Sequence, residues 1–309
     1  MAKNKCGNLL SGDLDVIAEL LRGTYADGIG VNPDRGESFP RRSEVIEVTE
    51  LLLELIFPGF DRVDNCNLST EALLREVYDR LLDLICRAMR SADRTTVCEC
   101  GRECRCRPDD RCSEAALALL KALPALRETV KKDVAAGYAG DPAATSFDEV
   151  VLSYPGLKAI TVQRLAHVLY VEKVPLLPRM MTEFVHAQTG IDIHPGAKLG
   201  EGIFIDHGTG VVIGETAVLG DNIRIYQGVT LGAGNFPKDA CGMLIKGLKR
   251  HPTIGNNVTI YSGASVLGDV TIGDNSVIGG NVWLTESLPA GTKITARPPE
   301  NKLRFASEK

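Results

Sequence analysis

Three of the five histidines in this 309-residue chain, His194, His207 and His251, lie in or beside one Gly-rich stretch between residues 191 and 294. A histidine with a pKa near neutrality can take a proton from a hydroxyl group and return it, as acyl transfer to a hydroxyl requires. Asp192 precedes His207 by fifteen residues. A carboxylate placed beside the imidazole would fix its tautomer and stabilise its protonated form. We therefore predict that His207 is a general base oriented by Asp192, and that His194 is a packed residue.

A six-residue repeat must position these side chains. Aliphatic or small residues recur at Ile193, Leu199, Ile205, Val211, Ala217, Ile223 and Val229, and again at Ile254, Ile260, Val266, Ile272, Ile278 and Leu284. A period of six fits neither a helix nor a flat strand, but it fits a coil with three corners in eighteen residues. Stacked turns bury a core that a single turn could not bury. On such a coil, Asp192 and His207 fall on nearby corners of successive turns.

The repeat is interrupted once, between Val229 and Ile254, where the separation is 25 residues rather than 24. Residues 232–249 contain Gly, Pro, Asn and Asp without the six-residue pattern, which predicts a long loop. Loops that leave a regular coil often carry the binding face. We expect this loop to return Arg250 and His251 to the cleft that holds His207.

The composition changes near residue 190, so we predict an α+β protein with a helical domain at 1–190, a coil at 191–294 and a short tail at 295–309. Helical spacing of apolar residues favours helices near 14–21, 43–56, 70–89, 113–136, 146–154, 156–172 and 176–189. We expect His167 and His186 to be packed or hydrogen-bonded residues of these helices.

Charge and composition exclude several classes. The formal charge of −5 argues against a nucleic-acid partner, and no apolar run approaches the roughly 20 residues of a membrane helix. We expect a cytosolic protein with reduced thiols among its nine cysteines. Five of these lie in segment 98–112, where thiolates can bind zinc or an iron–sulfur cluster. Their spacing lacks CxxC pairs, so an exposed loop is favoured over a metal site.

Four motifs resemble one family. They are DIHPGAKLG from Asp192, DHGTGVVIGETAV from Asp206, VTLG from Val229 and RHP from Arg250. Together with Asp141-Pro142, YPGLKA from Tyr154 and RLAH from Arg164, they are similar to the serine O-acetyltransferase family of the hexapeptide-repeat acyltransferase superfamily. The resemblance covers roughly residues 113–294.

The resemblance implies a left-handed parallel β-helix that assembles as a homotrimer or a dimer of trimers, with active sites in clefts between neighbouring coils. It implies acetyl transfer from acetyl-CoA to the hydroxyl of L-serine, giving O-acetyl-L-serine for cysteine synthesis. His207 matches the family's general base and Asp192 the aspartate that orients it. No catalytic metal is implied.

The resemblance also implies ligand contacts. Asp141 and Asp206 match positions that bind the serine ammonium, and Arg250 and His251 match positions that hold its carboxylate and hydroxyl. The pantetheine arm of CoA is expected near Ala233, Ser262 and Gly280. L-cysteine is expected to inhibit, because it differs from serine only in its thiol.

Three departures from the family stand out. The loop before Arg250 is longer than in the commonest members, and Ser262 replaces a residue that is usually small and apolar. Many members end in an isoleucine that inserts into a sulfhydrylase, whereas this chain ends in Lys309. We therefore expect weak or absent binding to that enzyme through the C-terminus.

Three other functions are weighed against this one. A metal-dependent hydratase on the same coil, like the γ-class carbonic anhydrases, needs paired histidine spacing that the coil lacks. An acetyltransferase for a sugar or homoserine fits poorly, since Asp141, Asp206 and Arg250 suit a zwitterion. A non-catalytic scaffold would not need the pair of Asp192 and His207.

Overall fold

The computed structural model describes residues 6–25, 39–60, 69–92, 110–234, 237–239 and 241–297. In this part of the chain, helices come first and short strands follow. The helices are α1 (Cys6–Thr24), α2 (Arg42–Ile56), α3 (Thr70–Ala92), α4 (Asp110–Gly140), α5 (Phe147–Ser153), α6 (Pro155–Val171) and α7 (Leu177–Thr189). The strands are β1 (Asp192–Ile193), β2 (Lys198–Leu199), β3 (Phe204–Ile205), β4 (Val212–Ile213), β5 (Val218–Leu219), β6 (Arg224–Ile225), β7 (Thr230–Gly232), β8 (Thr253–Ile254), β9 (Thr259–Ile260), β10 (Ser265–Leu267), β11 (Thr271–Ile272), β12 (Val277–Ile278), β13 (Trp283–Leu284) and β14 (Lys293–Ile294).

Helix α3 illustrates how the helical part forms. Leu73, Val77, Leu81 and Ile85 recur at spacings of four residues, and each is at most 5% exposed. This spacing places them on one face of the helix, which packs against α2 and α4. The predicted helices are thus confirmed within the described residues. Most boundaries differ by a few residues, whereas α1 begins at Cys6, eight residues before the predicted start.

A buried ion pair connects α4 and α6 to the first turn of the coil. The guanidinium of Arg164 donates to both carboxylate oxygens of Asp133, at 2.9 and 3.0 Å. Asp133 also accepts from the backbone N–H of Ile203 at 2.8 Å, and Arg164 donates to the carbonyl of Gly200 at 2.6 Å. A buried charge pair is tolerated only when its other donors and acceptors are satisfied. Here the helices supply the two charged side chains, and the backbone of the coil supplies the remaining hydrogen-bond partners.

The chain divides into two compact units, residues 1–39 with α1 and residues 40–309 with all the other elements. The boundary predicted at residue 190 marks the change from helix to strand, but α4, α6 and α7 each contact the coil. Helices α2–α7 and the coil therefore form one compact unit.

The coil consists of three parallel sheets. Sheet one has the order β1-β4-β7-β10-β13, sheet two β11-β8-β5-β2 and sheet three β14-β12-β9-β6-β3. In most strands the second residue is buried, as Ile193, Ile205 and Ile213 show. These residues stack from turn to turn into a continuous core. The arrangement is that of the predicted left-handed β-helix of hexapeptide repeats.

The first turn of the coil is two residues longer than a regular turn. Thr253 pairs with Thr271, which confirms eighteen residues for a regular turn, whereas Asp192 pairs with Val212, 20 residues later. Two extra residues therefore lie in the corner between β3 and β4. Because of them, the predicted repeat frame is wrong between Ile205 and the loop, whereas the frame predicted from Ile254 to Leu284 is confirmed. The inward strand residues from β4 to β7 are Ile213, Leu219, Ile225 and Leu231, whereas Val211, Ala217, Ile223 and Val229 are buried at the corners.

The predicted loop leaves the coil after β7 and returns at β8. Val218 pairs with Thr253, 35 residues later, so the loop adds 17 residues to a regular turn. Within its described part, an antiparallel bridge joins Lys238 and Leu244. The carboxylate of Asp239 accepts backbone hydrogen bonds from Cys241 at 2.8 Å and from Met243 at 2.9 Å.

Two predictions fall largely outside the described residues. The first is the exposed loop predicted at 98–112, of which only residues 110–112 are described. The second is the short tail predicted at 295–309, of which only residues 295–297 are described. Cys112 is buried in α4 rather than lying in an exposed loop. Among the described helices, none combines the length and the apolar character that crossing a membrane would need.

Candidate functional site

The extra residues of the first turn form the corner that carries His207. The turns that connect sheet three to sheet one stack above one another along the coil, and we call this stack of turns the His207 corner. His207 itself has a φ of 59°, and Gly208 and Gly210 have φ values of 78° and 79°. Positive φ is uncommon for a residue with a Cβ and is concentrated at functional sites. The side chain of His207 is 71% exposed, so this corner presents an imidazole to an approaching substrate.

Two carboxylates and a tyrosine accompany His207. Asp206 Oδ1 lies 3.7 Å from His207 Nδ1. Tyr154 donates its phenolic hydrogen to Asp141 at 2.5 Å, and the Ala143 N–H donates to the same carboxylate at 2.8 Å. These two bonds, with a smaller effect of His207, hold the pKa of Asp141 below its usual value. The hydrogen bond to Asp141 and burial raise the pKa of Tyr154 to about 12, so it stays a donor.

Asp192 lies beside the His207 corner but has a different partner. The Gly210 N–H donates to the Gly190 carbonyl at 2.8 Å, which places the segment before β1 directly below this corner. Among the described residues, no hydrogen bond or ion pair joins Asp192 to His207. Asp192 Oδ1 lies 3.4 Å from Arg179 Nη1. Sequence reasoning did not identify this arginine.

One group of potential metal ligands occurs among the described residues: Glu183, His186 and Asp192, whose ligand atoms lie within 4.8 Å of one another. The guanidinium of Arg179 forms ion pairs with both Glu183 and Asp192. The carboxylates in this group are therefore already neutralised by a cation of the protein, which disfavours a metal ion there.

Arg250 lies at a second corner, between sheets one and two, which we call the His251 corner. Its guanidinium forms an ion pair with Glu215. The other oxygen of Glu215 accepts from the Tyr170 hydroxyl at 2.8 Å. Burial raises the pKa of Glu215, but the bonds from Tyr170 and Arg250 outweigh it and the pKa is lowered. Glu215 thus stays ionised and holds Arg250; sequence reasoning missed its role, although it lies within the GETAV motif.

His251 is 7% exposed at the same corner. Its Nδ1 lies 2.9 Å from Thr216 Oγ1 and 3.1 Å from the Thr216 backbone nitrogen. Burial, with smaller effects of Arg250 and Lys249, lowers the pKa of His251 to about 4. His251 is therefore neutral at pH 7.

The other histidines are packed or hydrogen-bonded, as predicted. His194 is held at the His251 corner, where the Gly196 N–H donates to its Nδ1 at 3.0 Å, and burial lowers its pKa. His167 Nδ1 lies 2.7 Å from the Pro195 carbonyl. His186 Nδ1 lies 3.2 Å from Glu183.

The two corners separate the predicted site residues into two groups. Asp141, Asp206 and His207 lie at the His207 corner, while Arg250 and His251 lie at the His251 corner, across the width of sheet one. One chain therefore does not bring Arg250 and His251 into one cleft with His207. The reason is topological, since β7 ends at the His251 corner and the loop must return there.

The residues expected near pantetheine are divided in the same way. Ser262 and Gly280 are neighbours at the His207 corner, where a Cβ on Gly280 would lie 3.2 Å from the Ser262 carbonyl. Ala233 follows β7 at the His251 corner. Beside it, a cleft of about 770 Å³ lies between the loop and the coil, lined by Glu215, Arg250 and residues 244–249 among others.

Comparisons with known proteins agree with this architecture. Residues 251–286 match the family model "Bacterial transferase hexapeptide (six repeats)". A Synechococcus elongatus protein named "Serine acetyltransferase, plasmid" is 57% identical over 183 residues, which are 59% of this chain and 57% of that protein. A Helicobacter pylori serine acetyltransferase is 48% identical over 153 residues, 49% of this chain and 84% of the relative.

A solved structure extends the similarity to most of the chain. The crystal structure of serine acetyltransferase isoform 3 from Entamoeba histolytica, in complex with cysteine, superposes with a TM-score of 0.70 at 34% identity. The superposition covers 94% of this chain and 93% of that one. The match to the Synechococcus relative, by contrast, spans less than two thirds of that relative's length.

Proposed function

The chain belongs to the serine acetyltransferase family, and we propose that it transfers the acetyl group of acetyl-CoA to the hydroxyl of L-serine, giving O-acetyl-L-serine and CoA. The observation that carries the proposal is the His207 corner. There an exposed imidazole lies beside two carboxylates on a turn that is two residues longer than the repeat requires. An exposed base next to sites for an ammonium group suits an amino-acid hydroxyl as the acceptor.

His207 acts as the general base. It removes the proton of the serine hydroxyl as the oxygen attacks the carbonyl carbon of the thioester. When the carbon–sulfur bond breaks, the imidazolium returns this proton to the departing thiolate, so CoA leaves as the thiol. Asp192 is the residue that orients the imidazole. The segment before Asp192 lies directly below the corner that carries His207, and this position supports the role. The role also requires the Asp192 carboxylate to turn from Arg179 toward His207.

The charged groups suit the two ends of a zwitterion. Asp141 and Asp206 bind the ammonium group of serine, and Arg250 binds its carboxylate as a guanidinium fork. His251 contributes a further polar contact. Because these groups lie on two corners of the chain, a complete site needs the His207 corner of one copy and the His251 corner of another. The homotrimer or dimer of trimers that the family resemblance implies meets this need, because each interface of a trimer can carry one such site.

Acetyl-CoA is the acyl donor in this scheme. Ser262 and Gly280 at one corner and Ala233 at the other line its pantetheine arm, again across two copies. The cleft of about 770 Å³ beside the loop is large enough for a group of the size of a nucleotide. No metal takes part in the proposed chemistry.

L-cysteine is the proposed inhibitor of this site. The E. histolytica relative has been solved in complex with cysteine. Cysteine carries the same ammonium and carboxylate groups as serine, so Asp141, Asp206 and Arg250 hold it equally well. We expect competition with serine, and initial rates over a matrix of both concentrations test it. A pattern in which saturating serine leaves the inhibition unchanged contradicts a shared site.

The decisive experiment follows release of the CoA thiol from acetyl-CoA with L-serine, homoserine or a sugar as the acceptor. We expect turnover with L-serine and a loss of at least about 100-fold in the variant His207→Ala, the usual size of a general-base contribution. Asp192→Asn tests the orienting role and should lower kcat with a smaller effect on the KM for serine. Thiol release without an acceptor, or full activity in His207→Ala, refutes the proposal.

The oligomer is tested separately. Light scattering gives the mass of the assembly, and mixing two inactive variants tests whether sites are shared. Neither His207→Ala nor Arg250→Ala alone should be active, whereas co-expression restores activity because some interfaces join two intact corners. No recovery in mixed trimers contradicts a site built from two copies.

A further inference from the structure

Thr216 occupies the position at the His251 corner where the long loop returns to the coil. Its Oγ1 lies 3.0 Å from the backbone nitrogen of Arg250 and 3.1 Å from that of His251. It also lies 2.9 Å from His251 Nδ1. One hydroxyl group thus contacts three atoms of the two residues that the proposed function assigns to substrate binding.

The hydrogen-bonding capacity of this hydroxyl fixes the direction of each bond. A threonine hydroxyl has one hydrogen to donate and two lone pairs that accept. The N–H groups of Arg250 and His251 can only donate, so they use both lone pairs. The hydroxyl hydrogen of Thr216 is therefore directed to His251 Nδ1.

A second donor reaches the same nitrogen. The backbone N–H of Thr216 lies 3.1 Å from His251 Nδ1 and can only donate. A hydrogen on Nδ1 would face both the Thr216 N–H and an oxygen whose lone pairs are taken. Nδ1 must be the acceptor, so the hydrogen of the neutral imidazole lies on Nε2.

Two neighbours restrict the ring further. The ring of His251 lies against Gly214, where an added Cβ would be 2.1 Å from Nε2. Lys249 Nζ donates to the Thr216 carbonyl at 2.6 Å and to the His251 carbonyl. These two bonds hold the end of the loop against the turn that contains Thr216. The burial described above favours the neutral ring at pH 7.

We infer that Thr216 is a positioning residue that fixes His251 as a permanent Nε2–H donor toward an oxygen of the bound substrate. His251 then cannot share the role of base with His207, because its Nδ1 lone pair is occupied and its Nε2 carries the hydrogen. The same hydroxyl fixes the backbone of Arg250. The inference rests on the proposed function for the identity of the substrate, whereas the tautomer rests on geometry alone.

The first measurement concerns the tautomer and needs no activity. In nitrogen-15 NMR spectra of the histidine-labelled protein, we expect the His251 resonances, assigned by their absence in His251→Gln, to show hydrogen-bearing Nε2 and bare Nδ1 throughout pH 6–9. Hydrogen on Nδ1, or titration within this range, overturns the inference even if the enzyme acetylates serine.

The second measurement compares Thr216→Val with Thr216→Ser. Valine keeps the shape but removes the hydroxyl, whereas serine keeps the hydroxyl. We expect the KM for L-serine to rise about 10-fold in Thr216→Val, equivalent to about 1.4 kcal/mol, with kcat within about threefold and the KM for acetyl-CoA unchanged. Thr216→Ser should stay within about threefold of the parent protein, since it keeps every bond.

The control is Thr271→Val, which makes the same replacement at an exposed position of β11. It should leave both KM values unchanged. Equal KM values for serine in Thr216→Val and the parent overturn the positioning role. If Thr216→Val does not fold, Thr216→Ser provides the test. A KM for L-serine in Thr216→Ser that is as high as in an Arg250→Lys variant would also overturn the positioning role, because Thr216→Ser keeps the hydroxyl. Absence of activity in the parent protein refutes the proposed function instead, and the NMR result still decides the tautomer.

Discussion

Gly214 lies directly beneath the imidazole of His251, so the variant Gly214→Ala tests how firmly this ring is held. A Cβ at this position would lie 2.1 Å from Nε2 and Cδ2 of His251 and 2.7 Å from Cγ. Non-bonded heavy atoms pack at about 3.5–4.0 Å, so the ring would have to move by about 1.4 Å or more. The Gly214 backbone cannot retreat, because its N–H donates to the Leu231 carbonyl at 3.0 Å and its carbonyl accepts from Ala217 at 3.0 Å.

A movement of this size separates His251 Nδ1 from Thr216, which now lies at 2.9 and 3.1 Å. Overpacking a core costs about 1–3 kcal/mol, and each lost hydrogen bond about 1 kcal/mol. The sum is about 3–5 kcal/mol. With 2–4 °C per kcal/mol for a chain of roughly this size, we expect the Tm to fall by about 6–20 °C. A binding group displaced by about 1 Å can cost about 100-fold, so kcat/KM for serine should fall by about that factor.

The assay is CoA thiol release at saturating acetyl-CoA with varied L-serine, together with thermal unfolding followed by circular dichroism. The control is Gly23→Ala in α1, since a Cβ there meets nothing within 4 Å. The control should keep the parent Tm and kcat/KM. A Gly214→Ala protein with parent values of both quantities would refute the reasoning, because the ring could then not lie where it is described.

Three further predictions concern single side chains. Tyr154→Phe removes the 2.5 Å hydrogen bond to Asp141, and steady-state kinetics should show a KM for L-serine about 5- to 10-fold higher at similar kcat; an unchanged KM would contradict it. Glu215→Gln removes the charge that holds Arg250 and should raise the same KM about 10-fold, while Glu201→Gln, an exposed control, should not. His251 has a native pKa of about 4 against 6.5 for the unperturbed residue, so the unfolded chain binds more protons between these values and stability falls as pH drops from 6.5 to 4. Melting curves should show a smaller loss over this window in His251→Gln, and equal losses would exclude His251 as the cause.

The fold could be predicted from the sequence because it depends on a repeated pattern. Every inward strand residue of the coil is apolar, and the period of six has few structural solutions. The frame after Ile205 could not be predicted by counting, since Val211 and Ile213 are both apolar and both buried. A hexapeptide coil buries two apolar residues per repeat, one in the strand and one at the corner. A shift of the repeat by two residues therefore replaces one set of apolar residues with the other, and the sequence pattern shows no interruption.

The site was only partly predictable for a related reason. His207, Arg250 and His251 stand out by type, because histidine and arginine are rare in the coil. The partners that orient them do not stand out. Thr216 does not differ in type from the many other threonines of the coil, and Arg179 lies on helix α7, outside the repeat. Their roles arise from contacts across the corner or from helix to coil, which no spacing along the chain encodes.

The two irregularities of the coil and the proposed chemistry occur at the same places. A regular turn of eighteen residues repeats the same backbone at each corner, so a different backbone at one corner needs a change in the length of the turn. Two extra residues allow His207 its positive φ and its 71% exposure. The inserted loop brings Arg250 and His251 against Glu215 and Thr216. Deleting Thr209 and Gly210 should therefore restore an eighteen-residue turn and leave the thermal unfolding cooperative, yet abolish acetyl transfer; an active deletion variant would show that the longer corner is not needed for the chemistry.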